Sequence, residues 1–178
     1  MKLRLEDITA EAKEVTFAES ETEINRILAK GPVREYQVSA PIAVNLSYYR
    51  AGTDLFFAGQ MKAQMVATCA RCAEDFNASN DRAFRLVMAP KSVGMETDPG
   101  LRADDLEFSL YDGDEIDLGP LVREQLLLAL PTRPLCKEDC RGLCAHCGIN
   151  LNRGQCQCRP PAPDPRLAVL RSLKIVRN

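Results

Sequence analysis

Between residues 42 and 88, hydrophobic and polar side chains alternate in the pattern of strands covered on one face. Turn residues at 51–54 and a Cys-x2-Cys segment at 69–72 divide this stretch into three successive strands. Such strands pair antiparallel, which predicts an α+β fold built on an antiparallel β-meander or half-barrel. The residues predicted to face inward are Ile42, Val44, Leu46, Tyr48, Leu55, Phe57, Gly59, Met61, Ala63, Met65, Ala67, Phe76, Ala78, Phe84, Leu86 and Met88.

Shorter patterned segments flank the meander. Segments 2–8 and 14–18 are predicted to add strands, and segment 21–30 to form a short helix. Residues 90–113 are acidic and rich in Gly and Pro, which predicts a loop with a short strand at 106–110. The fold therefore includes a few helices and strands outside the meander.

The clearest helix signal follows that loop. Asp117 is a favoured N-cap, Pro120 is tolerated in a first turn, and Pro131 ends the pattern. These residues predict a helix over 117–130. Its buried face is marked by Leu118, Leu121, Val122, Leu126 and Ala129.

The C-terminal part of the chain differs in composition. A proline-rich spacer at 160–163 precedes a predicted last helix at 164–175, where Asp-Pro supplies the N-cap and first position. We therefore expect two parts, an antiparallel β-rich domain over 1–132 and a cysteine-rich, zinc-binding module over 133–178.

Eight cysteines occur in four close pairs: Cys69-x2-Cys72, Cys136-x3-Cys140, Cys144-x2-Cys147 and Cys156-x-Cys158. The first residues carry charge where a signal peptide is apolar, and the longest apolar run, 126–130, is too short to cross a membrane. We therefore expect a cytoplasmic protein in which thiols stay reduced. Paired thiols in that setting indicate metal binding rather than disulfides or nucleophilic catalysis.

The spacing suggests two zinc ions, each bound by four cysteines. Site one would use the last two pairs, because Gly148 can take a positive φ and the eight intervening residues bring the chain back. Site two would join the hairpin pair to the pair after 133, clamping the C-terminal module to the sheet. The ligands would be Cys144, Cys147, Cys156 and Cys158 in site one and Cys69, Cys72, Cys136 and Cys140 in site two.

Three alternatives stay open on sequence grounds. The Cys69/Cys72 pair could instead meet Cys144/Cys147, only one site could be occupied, or four cysteines could hold an iron–sulfur cluster. The glycine after Cys147 and the hairpin setting of Cys69 and Cys72 favour zinc.

The sequence argues against an enzyme. Zinc with four thiolates has no open position to activate water. His146 is the only histidine, and no phosphate-binding glycine loop or Gly-x-Ser-x-Gly motif is present. We therefore expect neither a catalytic residue nor a small-molecule substrate.

The net charge of −2 hides a segregation along the chain. Residues 91–132 carry three Lys/Arg against ten Asp/Glu, whereas residues 133–178 carry nine Lys/Arg against three Asp/Glu. A basic segment of this kind suits an anionic partner such as RNA. The candidate RNA-binding residues are Arg133, Lys137, Arg141, Arg153, Arg159, Arg166, Arg171, Lys174 and Arg177.

Several motifs, in order, resemble the YceD-like proteins from about residue 40 to the end of the chain. They are Cys69-Ala70-Arg71-Cys72 followed by Phe76, Glu115-Ile116-Asp117-Leu118, Val122-Arg123-Glu124, Leu126-Leu127-Leu128-Ala129-Leu130-Pro131, Pro134-Leu135-Cys136-Lys137-Glu138-Asp139-Cys140-Arg141-Gly142-Leu143-Cys144, Cys147-Gly148-Ile149-Asn150-Leu151-Asn152, Asp164-Pro165-Arg166-Leu167-Ala168-Val169-Leu170 and Leu173-Lys174.

The resemblance implies a non-enzymatic factor in biogenesis of the bacterial large ribosomal subunit, needed for accumulation of its 23S ribosomal RNA. We expect it to bind precursor ribosomal RNA. A second hypothesis is an adaptor or chaperone whose acidic segment, residues 95–117, captures a basic ribosomal protein. A third is a zinc-dependent RNA-processing enzyme.

Overall fold

The computed structural model of the chain describes residues 1–31, 35–91 and 108–158. The expected spacer at 160–163, the last helix at 164–175 and much of the loop at 90–113 lie outside these ranges. In chain order the elements are β1 (Lys2–Arg4), a 3-10 turn (Leu5–Asp7), β2 (Lys13–Glu19), α1 (Glu21–Leu28), β3 (Tyr36–Val38), β4 (Ile42–Ala51), β5 (Asp54–Thr68), β6 (Asp75–Pro90), β7 (Phe108–Tyr111), β8 (Glu115–Asp117) and α2 (Leu118–Ala129).

One six-stranded sheet dominates the described residues, and it confirms the predicted α+β fold. Its order is β2-β4-β5-β6-β7, and β3 pairs with the end of β5 that lies beyond β4. The described strands form no closed barrel. The predicted meander corresponds to β4, β5 and β6, which pair antiparallel in that order.

Two strands, β3 and β8, were not predicted from the sequence, and two others differ from the prediction in pairing or length. The strand β7 pairs parallel to β6, because the long connection from residue 91 to 108 lets the chain re-enter the sheet in the same direction. The first strand ends at Arg4 and pairs with β8 in a separate two-stranded sheet, because Leu5–Asp7 turns into a 3-10 helix.

The core lies between the inner face of the sheet and α2. Along β4 and β5 every second side chain is buried, as the alternation predicts. On α2, Leu118, Val122 and Leu126 are buried against this face, and the Asp117 carboxylate caps the helix by accepting the Gly119 N–H at 3.0 Å. A half-buried ion pair between Arg123 and Glu19 joins the helix to the end of β2.

The β5–β6 hairpin carries two cysteines at its tip, which we define as residues 69–74. The two strands stay in register from Leu55↔Met88 to Thr68↔Asp75, so the tip projects from the end of the sheet. Within the tip the Cys69 N–H donates to the Glu74 carbonyl at 2.9 Å, and Ala73 takes a positive φ of 56°. This tight turn holds Cys69 and Cys72 at a fixed spacing.

None of the helices within the described ranges has the length and hydrophobicity needed to cross a membrane.

Candidate metal centres

The eight cysteines lie in two groups of four. We call Cys69, Cys72, Cys136 and Cys140 the hairpin tetrad, and Cys144, Cys147, Cys156 and Cys158 the loop tetrad. Within each group all sulfur atoms are within 4.8 Å of one another. All eight are free thiols, so no disulfide competes with metal binding.

The sulfur spacing in the hairpin tetrad fits a single ion. The Sγ atoms of Cys69 and Cys140 are 3.7 Å apart, and those of Cys72 and Cys136 are also 3.7 Å apart. Four thiolates placed tetrahedrally at a Zn–S distance of ~2.3 Å would stand ~3.8 Å from one another. The tetrad therefore has the size of a tetrahedral four-sulfur site.

Packing shields the hairpin tetrad from solvent. Cys69, Cys72 and Cys140 are almost fully buried, at 2–3% exposure, and form a small cluster with Phe76 and Leu135 that is separate from the main core. A metal ion placed there would be shielded, which suits a structural role.

Backbone contacts join the hairpin tip to the segment that carries the other two ligands. The Ala70 N–H donates to the Pro134 carbonyl at 2.8 Å, and the Leu143 N–H donates to the Arg71 carbonyl at 3.1 Å. The Arg71 guanidinium donates to the carbonyls of Glu138 and Cys140, each at 3.0 Å. The tip is thus held by hydrogen bonds on both sides of Cys136 and Cys140.

The loop tetrad is built on a tight turn and is more exposed. The Cys144 carbonyl accepts the Gly148 N–H at 2.9 Å, and Gly148 has a φ of +73° that favours glycine. The His146 N–H points at the Cys144 sulfur from 3.5 Å, while the Sγ atoms of Cys144 and Cys156 are 3.4 Å apart. His146 itself is exposed.

Burial and hydrogen bonds shift the pKa values of two thiols in the hairpin tetrad in opposite directions. Burial opposes ionisation of Cys69, but backbone N–H groups of Cys136, Arg71 and Cys72 outweigh it and lower the pKa of Cys69 to about 6. Burial raises the pKa of Cys136 to about 12, reinforced by hydrogen bonds with neighbouring thiols. Four close thiols cannot all ionise alone, whereas a divalent cation would favour four thiolates.

Cys144 and Cys158 of the loop tetrad differ in pKa in the same way. Backbone N–H groups of Cys147 and His146 lower the pKa of Cys144 to about 6. A hydrogen bond with the Cys147 thiol, followed by burial, raises the pKa of Cys158 to about 12. Backbone donors aimed at sulfur are the outer-shell contacts expected around bound metal.

The structure groups the same four cysteines in each tetrad as the spacing suggests. Cys69 and Cys72 meet Cys136 and Cys140, whereas the crossed arrangement would have placed them beside Cys144 and Cys147. The two tetrads could each bind a metal ion; the identity of the ions stays a prediction.

Sequence reasoning missed three residues that shape these centres. They are Arg71, which bonds the backbone around Cys140, Gly142, which lies against the Arg71 carbonyl, and Asn152, whose amide reaches the Cys140 sulfur at 3.2 Å. Gly142 carried a usable signal, because glycine next to a cysteine pair indicates a positive φ. The other two depend on contacts between distant segments.

Four of the nine predicted RNA-binding residues fall within the described ranges, and all four are exposed. Lys137 pairs with Asp139 at 3.8 Å and Arg153 with Glu74 at 2.8 Å. Arg133 and Arg141 form no ion pair within the described part of the chain. The others lie outside the described residues: Arg159, Arg166, Arg171, Lys174 and Arg177.

Comparison with known protein families gives one match that covers more than half of the chain. Residues 57–174 match the YceD family, described as "Large ribosomal RNA subunit accumulation protein YceD". The matched region includes all eight cysteines. No solved structure matches the chain.

Comparison with curated proteins finds relatives in plants and bacteria. The chain is 24% identical over 164 residues to the chloroplastic "Large ribosomal RNA subunit accumulation protein YCED homolog 1" of Arabidopsis thaliana, covering 80% of this chain and 51% of that protein. It is 27% identical to the Zea mays protein of the same name, covering 70% of this chain and 50% of that protein. An uncharacterized Mycobacterium leprae protein is 31% identical over 113 residues, covering 63% of this chain and 50% of that protein. The chain thus spans about half the length of these relatives.

Proposed function

The chain belongs to the YceD family, and from this premise we propose that it is a non-enzymatic zinc-binding factor that supports accumulation of the large-subunit 23S ribosomal RNA. We further propose that it acts in the cytoplasm by binding precursor ribosomal RNA. The observation that carries the proposal is the pair of cysteine tetrads inside the region that matches a family described by ribosomal RNA accumulation.

The geometry of the tetrads supports zinc over an iron–sulfur cluster. In a [4Fe–4S] cluster each of the four thiolates binds a different iron, and in a [2Fe–2S] cluster two thiolates bind each iron. In both cases the four cysteine sulfurs are spread over more than one iron, so they stand farther apart than around a single ion. Here all four sulfurs of each tetrad lie within 4.8 Å of one another, which fits a single ion. A tetrahedral set of four soft thiolates is typical of structural zinc.

The same geometry argues against catalysis at these centres. A zinc ion with four thiolates is coordinatively full and has no position for a reacting water. The only histidine, His146, is exposed and donates only its backbone N–H toward sulfur. We therefore place the zinc ions in a structural role, with the RNA contacts on the surface of the module they fold.

Charge supports RNA as the partner of that module. Residues 133–178 carry nine Lys/Arg against three Asp/Glu, and the described ones among the nine are exposed. Basic side chains that contact phosphates release counterions, so binding would weaken steeply as salt rises. Arg133 and Arg141 are the strongest candidates within the described part, since neither is in an ion pair there.

A second candidate function rests on the acidic segment 95–117. Its described part exposes Asp112, Asp114 and Glu115, and Glu115 pairs with Lys2 at 3.2 Å. This surface would suit a basic ribosomal protein, in which case the chain would be an adaptor or chaperone. A zinc-dependent RNA-processing enzyme is a weaker third candidate, because it would need an open metal position.

The test is binding of a precursor transcript of the large-subunit RNA, measured by fluorescence anisotropy over a range of salt concentrations. Changing both Arg133 and Arg141 to Ala should weaken binding and reduce the slope of log affinity against log salt by roughly 0.7–0.9 for each lost contact. The matched control changes two exposed arginines of β6, Arg82 and Arg85, to Ala and should leave the slope unchanged.

Two results would contradict the RNA proposal. One is absence of binding by the unchanged protein, and the other is an equal loss in the test and control variants. Co-purification of a ribosomal protein that survives nuclease treatment would then favour the adaptor.

A further inference from the structure

We propose that Asn152 is a positioning residue that makes metal binding by the hairpin tetrad depend on metal binding by the loop tetrad. The inference rests on the proposed zinc sites, and concerns how they are coupled. Asn152 lies between Cys147 and Cys156, inside the segment that the loop tetrad closes, yet its side chain reaches a ligand of the other tetrad.

Two hydrogen bonds attach the Asn152 side chain to the hairpin tetrad. Its Nδ2 donates to the Cys140 sulfur at 3.2 Å, and its Oδ1 accepts the Arg141 N–H at 2.9 Å. An amide N–H directed at sulfur stabilises the thiolate, which is the form that binds a metal ion. The amide thus binds both the side chain of one ligand and the backbone beside it.

The loop holds this amide in place through its own turn. Asn150 Oδ1 accepts both the backbone N–H and the Nδ2 of Asn152 at 2.9 Å, and the Leu151 N–H donates to the Gly142 carbonyl at 2.9 Å. The Cys144 N–H donates to the Ile149 carbonyl at 2.9 Å. The position of Asn152 is therefore fixed by the structure of the whole segment from Cys144 onward.

The two tetrads are coupled because metal binding would stabilise the segment from Cys144 onward. Its described contacts are mainly turn hydrogen bonds, and its cysteines are half-buried or exposed, so a metal ion in the loop tetrad would supply much of its folding free energy. Without that ion the segment would regain conformational freedom, and Asn152 would leave Cys140. By reciprocity, an ion in the hairpin tetrad favours an ion in the loop tetrad.

The experiment uses the full chain with Cd²⁺ as the probe, because each four-sulfur site gives its own cadmium NMR resonance. Chelator competition then gives the affinity of each tetrad separately. Asn152→Ala should lower the affinity of the hairpin tetrad roughly 10-fold, as loss of an outer-shell contact usually does. Asn152→Asp keeps the acceptor for the Arg141 N–H, but it removes the donor to sulfur and places a negative carboxylate beside the Cys140 thiolate. It should therefore cause at least the same loss of affinity.

A control variant and a double variant distinguish coupling between the two tetrads from nonspecific destabilisation of the fold. Asn77→Ala, an exposed asparagine on β6, should leave both resonances unchanged. Cys147→Ser, which disables the loop tetrad, should itself weaken the hairpin tetrad. Adding Asn152→Ala to it should then change little, because both substitutions remove the same contact.

Three results would overturn the inference: an unchanged hairpin affinity in both Asn152 variants, independent effects in the double variant, or a wild-type chain that binds no cadmium. This experiment measures cadmium binding and does not measure RNA binding. A wild-type chain that shows the coupling but binds no precursor RNA would therefore remove the proposed function and leave the inference standing.

Discussion

A Cβ atom placed on Gly142 would stand 2.9 Å from the carbonyl oxygen of Arg71, so the chain leaving the hairpin tetrad lies directly against the hairpin tip. The same oxygen accepts the Leu143 N–H at 3.1 Å. The junction between the hairpin tip and the segment 136–143 is thus a close backbone contact as well as a shared set of thiols. Its closeness requires glycine at 142, with a φ of +73°.

A matched pair of glycines tests this contact. Gly142 and Gly148 share a φ of +73°, so each change to Ala carries the same left-handed strain of about 1–2 kcal/mol. Only at Gly142 does the added methyl group also meet a neighbouring oxygen, whereas nothing lies within 4 Å at Gly148. Gly142→Ala should therefore cost about 1–3 kcal/mol more in unfolding free energy than Gly148→Ala, measured by urea denaturation. Equal costs would mean that the contact does not constrain the fold.

The second prediction concerns protection of the junction from hydrogen exchange. The amides of Ala70 and Leu143 donate across it, to the carbonyls of Pro134 and Arg71. Cys72→Ser would remove a hairpin ligand and should speed exchange at both amides, because the junction then opens more often. The Tyr48 and Leu46 amides in the central sheet serve as internal references and should keep their rates. An unchanged rate at Ala70 and Leu143 would show that the tetrad does not hold the junction.

The third prediction concerns the ion pair of α2. The side chains of Arg123 and Glu19 are only 19% and 13% exposed, so removing the arginine leaves a carboxylate with little water around it. Arg123→Met should destabilise the protein by about 2 kcal/mol, less than a fully buried pair would lose. The comparison is Lys2→Met, which breaks an exposed pair with Glu115 and should cost less than about 1 kcal/mol. Thermal denaturation compares the stability of the two variants. Similar losses of stability would contradict the claim that the half-buried pair contributes more than the exposed one.

The fourth prediction concerns the link between α1 and β3. The Asn25 side chain donates to the Val38 carbonyl and accepts the Val38 N–H, both at 2.8 Å. Asn25→Ala removes both bonds at a half-buried position and should cost about 2 kcal/mol of unfolding free energy. Asn77→Ala on the exposed face of β6 should change stability by less than about 0.5 kcal/mol. If the two variants denature at the same urea concentration, the link contributes nothing.

Local patterns predicted much of the fold. The burial of alternate residues in β4 and β5 follows from their period of two, because the inner face of the sheet is covered by α2. The start of α2 follows from the capping carboxylate of Asp117. The parallel pairing of β7 could not be predicted in this way, since strand direction depends on the path of the connection rather than on the strand itself.

The candidate metal centres likewise contain residues that local sequence predicts and residues that it does not. Close cysteine pairs identify ligands, because a short turn must place both sulfurs near one point. The roles of Arg71 and Asn152 are invisible locally, since each bonds to groups near Cys140 from another part of the chain. Only the docking of the hairpin tip on the module brings those groups within reach.

The two proposed zinc sites are tested by the metal content of the full chain purified without chelator. Elemental analysis gives the ratio of each metal to sulfur, and hence the number of ions per chain. We expect two zinc ions per chain, one in each cysteine tetrad. Iron in place of zinc, a single ion, or eight reactive thiols with no metal would contradict the two-zinc proposal.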